Sequence, residues 1–346
     1  MPGFGGRSGM IDHRELRRAA LAGALLLATA CSAAAAERER LQVVGSKVVF
    51  PLAVAAAEAF HLKTGRPTPV VEANGTGEGF ALFCAGKGAE HPDIATAERR
   101  MTASEQQRCR SRGISVAEIK IGHRAVVVAR SRRAPALALT RAQLFQALAA
   151  QVRIDGRPAD NPYRLWSDID FSLPVTPIAA FGPPPTSAQR GSFDRLVMAA
   201  EGQGTDEGGV PGGIPLRRDG VFTELPADDP QSLSRLEANP QALGIFGFTF
   251  ALQNSARLQA VAIDGVIPSA ETIADGRYGL AEPLYIYVKR EQIGAVPGLA
   301  DYAAEISSEA ASGDGGYLVR LGLVPLPPGE RDAQRQSAAR LPAARM

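Results

Sequence analysis

Apolar and polar residues alternate in short blocks along residues 41–129, and the spacing of the apolar positions changes between strand and helix periods. The run Leu41 to Val44 predicts a strand, and the apolar positions from Pro51 to Leu62 predict a helix. Strand–helix repetition with short links is typical of an α/β fold with a mostly parallel, doubly wound sheet. The other elements predicted here are strands at 68–72, 93–95, 115–121 and 124–129, and helices at 79–86 and from Thr102.

The second half of the chain continues in the same style, with longer irregular links. From Pro325 onward, Pro, Arg and Ala residues follow without periodicity, which predicts a disordered tail over 325–346. The elements predicted before that tail are helices from Thr140 to Ala150, from Ser187 and at 300–306, and strands at 175–181 and 283–289.

Three glycine-containing turns each precede a predicted helix, at Gly45-Ser46, Gly75-Thr76 and Gly182 to Ser187. The first backbone N–H groups of a helix are unpaired and lie at the positive end of its dipole, so they can bind an anion. Glycine lets the backbone approach a ligand closely, and Ser and Thr hydroxyls add donors. The same residue types also form ordinary helix caps, so each turn by itself is a weak signal.

The N-terminus has the three-part layout of a secretory signal. A basic stretch from His13 to Arg18 precedes the uncharged apolar run Ala19 to Ala30, and small residues follow at Ala33 to Ala36. The apolar run is shorter than the ~20 residues that span a bilayer. We therefore predict a signal peptide over 1–36 and a periplasmic protein, with lipidation at Cys31 as the alternative to cleavage after Ala36.

Charge and cysteine content narrow the choice of partners. Residues 1–36 carry four of the 38 basic residues and two of the 36 acidic ones, so the rest of the chain is neutral. A nucleic-acid partner is not expected, because such proteins carry a strongly basic face. Cys84 and Cys109 remain after export, and in an oxidising compartment they can form a disulfide, although two free buried thiols are the alternative.

Several segments resemble the phosphate-binding proteins of bacterial ABC importers. The three main ones are Gly45 to Pro51, Gly75 to Gly79, and Gly182 to Arg190. Their order and spacing carry the resemblance, which spans about residues 41–324. Shorter similar stretches lie at 93–95, 166–168, 236–248 and 283–285.

The resemblance implies the type II periplasmic-binding-protein fold, in which two α/β lobes are joined by two hinge strands. Lobe 1 would comprise 41–123 plus 286–324, and lobe 2 would comprise 124–285. The strands that cross between them would be Val126 to Ala129 and Tyr285 to Val288.

In function, the resemblance implies an exported monomer that captures phosphate or a related oxyanion between its lobes and delivers it to an ABC importer permease. No cofactor is expected. The alternative is a binding or sensing module of the same fold that has lost phosphate binding and does not act in transport.

An enzyme is not expected, because the sequence has no Gly-x-Ser-x-Gly nucleophile turn and no Walker A lysine. His61, His91 and His123 are scattered and lack the spacing of metal ligands.

The residues that match the family's site also show where this chain departs from it. Lys47 stands where the family has a small hydroxyl residue, Glu78 where it has serine, Pro183 where many members have arginine, and Gln189 where a threonine is usual. Glu98 stands where the family places an Asp or Ser against phosphate. The implied ligand-binding residues are Ser46, Lys47, Phe50, Thr76, Gly77, Glu78, Glu98, Ser187, Gln189 and Arg190.

Glu78 divides the ligand hypotheses in two. A carboxylate about 4 Å from a bound anion would cost roughly 4 kcal/mol at an effective dielectric near 20. In the first hypothesis phosphate still binds, weakly, with Glu78 turned outward or paired with Lys47. In the second, Glu78 occupies the anion site, and the protein takes another ligand or none.

Overall fold

The computed structural model describes residues 40–202, 214–226 and 229–341, together with Gly3 and Gly5. The predicted signal peptide over 1–36, including Cys31, lies outside the described residues. Within the described part of the chain, no helix has the length and apolar character needed to cross a bilayer.

The strands cover most of the segments that the periodicity predicts. They are β1 (Gln42–Gly45), β2 (Val70–Glu72), β3 (Ile94–Ala97), β4 (Val116–Ser131), β5 (Ala138–Leu139), β6 (Gln151–Ile154), β7 (Arg157–Asp160), β8 (Ala180–Gly182), β9 (Phe222–Glu224), β10 (Leu243–Gly247), β11 (Leu258–Ala260), β12 (Ala262–Ile263) and β13 (Ala281–Lys289).

The helices alternate with these strands along the chain. They are α1 (Phe50–Thr64), α2 (Thr76–Phe83), α3 (Ala103–Ser111), α4 (Arg141–Leu148), α5 (Trp166–Ile169), α6 (Ala188–Phe193), α7 (Asp229–Ala238), α8 (Phe248–Gln253), α9 (Ala270–Ala274), α10 (Leu299–Ile306), α11 (Glu309–Ser312) and α12 (Pro328–Ala339). A π-helix over Asp194–Ala199 continues directly from α6.

One large mixed sheet organises the molecule, in the order β2-β1-β3-β13-β4-β10-β8-β9, with β11 also pairing with β4. The flanks are parallel: β1 pairs in parallel with β2 and β3, and β8 pairs in parallel with β9 and β10. The centre is antiparallel, because β13 runs opposite to β3 and β4, and β10 runs opposite to β4. The predicted α/β class is confirmed, and the parallel pairing holds on either side of this central region.

The buried apolar residues form two main cores. The terminal core draws on Leu41 to Ile121 and Leu284 to Leu341, so it combines the two ends of the described chain. The central core draws on Ala125 to Leu280, with Val324 added. The strands β4 and β13 connect the two, because β4 contributes residues up to Ile121 to the terminal core and from Ala125 onward to the central core.

The passage from one core to the other differs from the sequence-based expectation. Val126 to Ala129, expected to cross, belong entirely to the central core, and Ile286 and Val288 belong to the terminal core. The change of core falls a few residues earlier on both strands, where His123 pairs with Pro283. The two predicted strands at 115–121 and 124–129 are one continuous strand, because β13 pairs with its first part up to Ala125 and β10 pairs with Val126 to Ala129.

The C-terminal segment corrects another prediction. Residues 325–346 were expected to be disordered, but α12 is a helix, and Leu341 just beyond it is buried in the terminal core. The buried Arg331 pairs with Glu309 at 3.0 Å and with Asp314 at 3.1 Å. The segment shows no apolar periodicity because few apolar residues anchor it, and ion pairs provide its other contacts with the rest of the chain. Residues 342–346 lie outside the described part.

Local signals in the sequence are confirmed at two further points. Thr102 and Glu105 form the capping box that begins α3. Cys84 and Cys109 are joined in a disulfide that links the end of α2 to α3. This disulfide lies in a small apolar cluster with Phe80, Phe83 and Tyr287.

Candidate functional site

The turn after β1 brings two glycines together at the start of α1 and α2. A Cβ on Gly79 would lie 2.4 Å from the Cα of Gly45, and a Cβ on Gly45 would lie 2.3 Å from the Thr96 carbonyl oxygen. Both distances are far below any real carbon contact, so only glycine allows this approach. The turns of Gly45-Ser46 and Gly75-Thr76 therefore lie side by side at the ends of neighbouring strands.

Ser46 is fully buried, and its hydroxyl closes the turn that leads into α1. Its Oγ accepts hydrogen bonds from the N–H groups of Val48 (3.1 Å) and Val49 (3.3 Å). Two of the amides expected to face an anion are thus already paired with this hydroxyl. Lys47 and Phe50, also predicted as ligand residues, are exposed beside it.

Thr76 and Glu98 are two predicted residues whose side chains are hydrogen-bonded to each other. The Thr76 hydroxyl donates to Glu98 Oε2 at 2.6 Å, and the Thr76 side chain is buried. Thr76 is the first residue of α2, directly after Gly75, whose φ of +100° favours glycine. A carboxylate therefore lies at the N-terminus of this helix, and its second oxygen accepts no hydrogen bond from the described residues.

Gly77 and Glu78 continue the first turn of α2, and both are exposed. Among the described residues Glu78 has no ion pair, so the predicted pairing with Lys47 is not formed.

Ser187 and Arg190, on the opposite side of the site, are engaged by their own neighbours. Ser187 Oγ accepts from the N–H of Arg190 at 3.0 Å and so caps α6. The buried guanidinium of Arg190 pairs with Asp194 at 2.9 Å and Glu224 at 3.1 Å, and it lies 5.4 Å from the Phe222 ring centroid. Two carboxylates thus compensate the positive charge that the resemblance would assign to ligand binding.

Asp194 is half-buried beside Arg190. Burial raises the pKa of the Asp194 carboxyl, and the nearby positive charges of Arg190 and Arg195 oppose that rise. Gln189 is half-buried at the start of α6 and has no side-chain hydrogen bond among the described residues.

Arg195 is the functional candidate that sequence reasoning missed. Its Nη2 donates to both carboxylate oxygens of Glu282 at 2.8 Å, and its Nε lies 3.9 Å from Glu98 Oε1. Glu282 also accepts from the Ser192 hydroxyl. The guanidinium therefore reaches from the π-helix after α6 to the carboxylate held by Thr76.

No motif marks Arg195, because it lies five residues after Arg190, off the segment that carries the resemblance. The feature that points to Arg195 is the π-helix in the structure, since π-turns are rare overall but occur often at functional sites. A π-turn is not visible in apolar periodicity.

The arrangement can bind a protonated oxyanion. Glu98 offers an acceptor, the exposed first turn of α2 offers backbone donors, and Arg195, which is also paired with Glu282, brings a guanidinium close to Glu98. Within the described residues, no group of His, Cys, Asp or Glu side chains is arranged to hold a metal ion.

A two-core α/β molecule with a polar site at helix N-termini between the cores is the architecture of a solute-binding protein. The family model of the PBP superfamily domain matches residues 31–310, and the chain belongs to this superfamily.

Among proteins of similar sequence, Protein SphX of Synechococcus elongatus is 29% identical over 264 residues, which are 75% of this chain and 70% of that protein. The phosphate-binding protein PstS of Staphylococcus saprophyticus is 25% identical over 264 residues, which are 75% of this chain and 72% of that protein.

Solved structures show the same fold. A possible phosphate binding protein from Planctomyces limnophilus has a TM-score of 0.72 and 26% identity, and the match covers 87% of this chain and 98% of that one. An ABC-type phosphate transport receptor from Vibrio cholerae has a TM-score of 0.58 and 18% identity over 83% of this chain and 100% of the other. These names are those of binding proteins and receptors rather than enzymes, in agreement with the sequence-based expectation.

Proposed function

We propose that this protein captures phosphate between its two cores and delivers it to the permease of an ABC importer. The names of the relatives support this function, since they include phosphate-binding proteins and a phosphate transport receptor. The observation that carries it is the Thr76–Glu98 hydrogen bond at the start of α2, facing Arg195.

This pair suits phosphate in particular. Phosphate at neutral pH retains at least one proton, so it can donate a hydrogen bond to Glu98. Sulfate is fully ionised and has no proton to donate, so Glu98 would only repel it. A carboxylate acceptor in an anion site therefore favours phosphate over sulfate.

The proposal extends to the organisation of the whole chain. The terminal core would be lobe 1 and the central core lobe 2, with the crossings of β4 and β13 as hinges. The segment 1–36 would direct export to the periplasm, either by cleavage after Ala36 or by lipidation at Cys31, and the protein would act as a monomer.

Calorimetric titration with phosphate and with sulfate tests the function. We expect the purified protein to bind phosphate at least about tenfold more tightly than sulfate, a difference of roughly 1.4 kcal/mol. Glu98→Gln should narrow this difference, because the neutral amide no longer repels sulfate and can turn its NH₂ group toward it.

Glu72→Gln is the matched control, since Glu72 is exposed on β2 and its loss changes the net charge equally. Equal affinity of the unaltered protein for the two anions would contradict the proposal. So would a phosphate preference that survives Glu98→Gln unchanged.

A further inference from the structure

A second pocket lies between the terminal and central cores, on the side of α1 and α6 that faces the chain segment before α12. Its volume is about 510 Å³, which is within the ~300–1,000 Å³ range of small-molecule sites. Ser46, Thr76, Glu98 and Ser187 do not line it. The residues that matter for its chemistry are Arg124, Gln189, Thr249, Gln253 and Arg320.

Arg124 is the buried charge of this pocket. Its side chain is 6% exposed, and its Nη2 donates to the Leu321 carbonyl oxygen at 2.9 Å. Its Nη1 is buried and has no hydrogen-bond partner among the described residues. A buried, charged donor without a partner is destabilising, so a negative charge placed close to it in the pocket would stabilise the guanidinium.

Gly322 lies against the guanidinium of Arg124, and both residues line the pocket. A Cβ on Gly322 would lie 2.8 Å from Nη2, so glycine is what lets the guanidinium pass this segment. Burial lowers the pKa of Arg124, with Glu282 opposing the shift and Arg195 adding to it. A negative ligand would therefore stabilise a charge that the protein itself solvates poorly.

Arg320 brings a second positive charge to the same pocket. It is exposed, and among the described residues it forms no ion pair. No carboxylate lines the pocket, whereas Arg190 and Arg195 in the neighbouring site are each held by two. The two pockets thus differ in electrostatic character, and this one is positive.

We propose that this pocket, which we call the arginine pocket, binds a phosphoryl group. Two guanidinium groups, the amides of Gln189 and Gln253 and the Thr249 hydroxyl offer donors from several directions. A tetrahedral, doubly charged oxyanion can accept from all of them, and Arg is the side chain best matched to phosphoryl oxygens.

The size of the arginine pocket and its apolar wall extend the ligand class. Pro51, Phe250 and Leu321 line it beside the donors, so a small carbon skeleton attached to the phosphoryl group would contact them. The ligand is either inorganic phosphate or a small phosphate monoester. The inference rests on the proposed function for the class of ligand, but of the residues that the resemblance assigns to ligand binding only Gln189 lines this pocket.

Calorimetry with inorganic phosphate and with glycerol 3-phosphate tests the proposal on the purified protein. Arg320→Ala should weaken at least one phosphate-binding event by about tenfold or more, because an unpaired charge facing the anion is lost. Arg320 is exposed, so the variant is expected to fold. Arg218→Ala is the matched control, since Arg218 is exposed and carries no ion pair among the described residues.

The outcomes separate this proposal from the proposed function. Binding of phosphate or glycerol 3-phosphate that is lost in Arg320→Ala but retained in Glu98→Gln and Arg218→Ala supports the arginine pocket. Binding that responds to Glu98→Gln and is identical in Arg320→Ala and Arg218→Ala overturns the arginine pocket and leaves the proposed function standing. If the unaltered protein binds neither compound, both fail.

The titration with glycerol 3-phosphate shows whether the bound phosphoryl group belongs to an ester or to free phosphate. Glycerol 3-phosphate that binds and is lost in Arg320→Ala assigns the pocket to phosphate esters. Binding of inorganic phosphate alone with the same sensitivity assigns it to the free ion. Gln253→Ala provides a second, uncharged test, and it should weaken the same event in the same direction.

Discussion

Glu78 lies in the first turn of α2, where an acidic side chain is favoured by the helix dipole. Its exposure changes the expected strength of its effect on a bound anion. In a solvent-like dielectric, two unit charges about 4 Å apart interact by only about 1 kcal/mol. The first ligand hypothesis, with Glu78 turned outward, therefore agrees better with the structure than a carboxylate that fills the anion site.

We expect Glu78→Gln to strengthen phosphate binding modestly, by about fivefold, because about 1 kcal/mol of repulsion is removed. The gain should shrink as salt is added, since exposed charges are screened. Titration of phosphate at low and moderate ionic strength measures both effects. Glu58→Gln, which removes an exposed carboxylate further along α1, should leave the affinity unchanged.

A gain of several hundredfold in Glu78→Gln would mean that Glu78 points into a dry site, and it would restore the second hypothesis.

At the same scale, the sequence predicts turns that the structure brings side by side, at Gly45 and Gly75, but not how the side chains of the predicted site pair. Thr76 and Glu98 were both predicted, and the structure joins them by a hydrogen bond. Arg190 was predicted on its position in the chain, and the structure shows it paired with Asp194 and Glu224. Which arginine is compensated depends on contacts between distant segments, and one sequence carries no record of them.

Among the elements, α12 shows the limit of periodicity most clearly. Its anchors are few: Ala338 and Leu341 reach the terminal core, Arg331 forms ion pairs, and the N–H of Lys120 on β4 donates to Gln334 at 3.0 Å. A polar helix tied by tertiary contacts gives no amphipathic signal. By contrast, α1 and β13 are predicted well because their own apolar residues fill the core.

Leu341→Ala should lower the free energy of unfolding by about 2 kcal/mol or more, because it removes a side chain that is 2% exposed. Urea unfolding followed by circular dichroism measures the change. Arg340→Ala, at the neighbouring exposed position, should have little effect. If Leu341→Ala and Arg340→Ala unfolded at the same urea concentration, Leu341 would contribute no packing, and the segment would be the disordered tail that its composition predicts.

For the molecule as a whole, the two cores meet where β4 and β13 pass from one core to the other, and His123 is buried at that junction. The backbone N–H of His123 donates to the Val324 carbonyl oxygen at 2.8 Å, while its ring Nδ1 has no hydrogen-bond partner in the described part of the chain. Burial lowers the pKa of His123 to about 4, with Lys120 adding to the shift and Glu330 opposing it. The folded protein therefore keeps this imidazole neutral in mild acid.

Stability should consequently fall between pH 6.5 and pH 4. In the unfolded chain His123 is protonated below its ordinary pKa near 6.5, whereas in the folded protein it is protonated only below about pH 4. Between these values the unfolded state binds one more proton, so acid favours unfolding. The full effect is about 3 kcal/mol at roughly 1.4 kcal/mol per unit of pKa. Urea unfolding at pH 7.5 and at pH 5 measures how much of this stability is lost in a pH range where ordinary carboxyl groups remain ionised.

His123→Gln should reduce the loss of stability between these two pH values, while His61→Gln, at an exposed position, should retain it. An unchanged pH dependence in His123→Gln would show that another group is responsible.

The terminal core, drawn from both ends of the described chain, also sets an order of events during synthesis. Residues 41–121 leave the ribosome first, but the residues that complete their core, from Leu284 onward, are made last. The central core is almost contiguous, lacking only Val324 when Leu280 has emerged. Domains fold as units once their chain is available, so the middle of this protein is ready to fold before its beginning. Until then the apolar face of α1 packs only against residues 41–121 and lacks the part of its core that begins at Leu284.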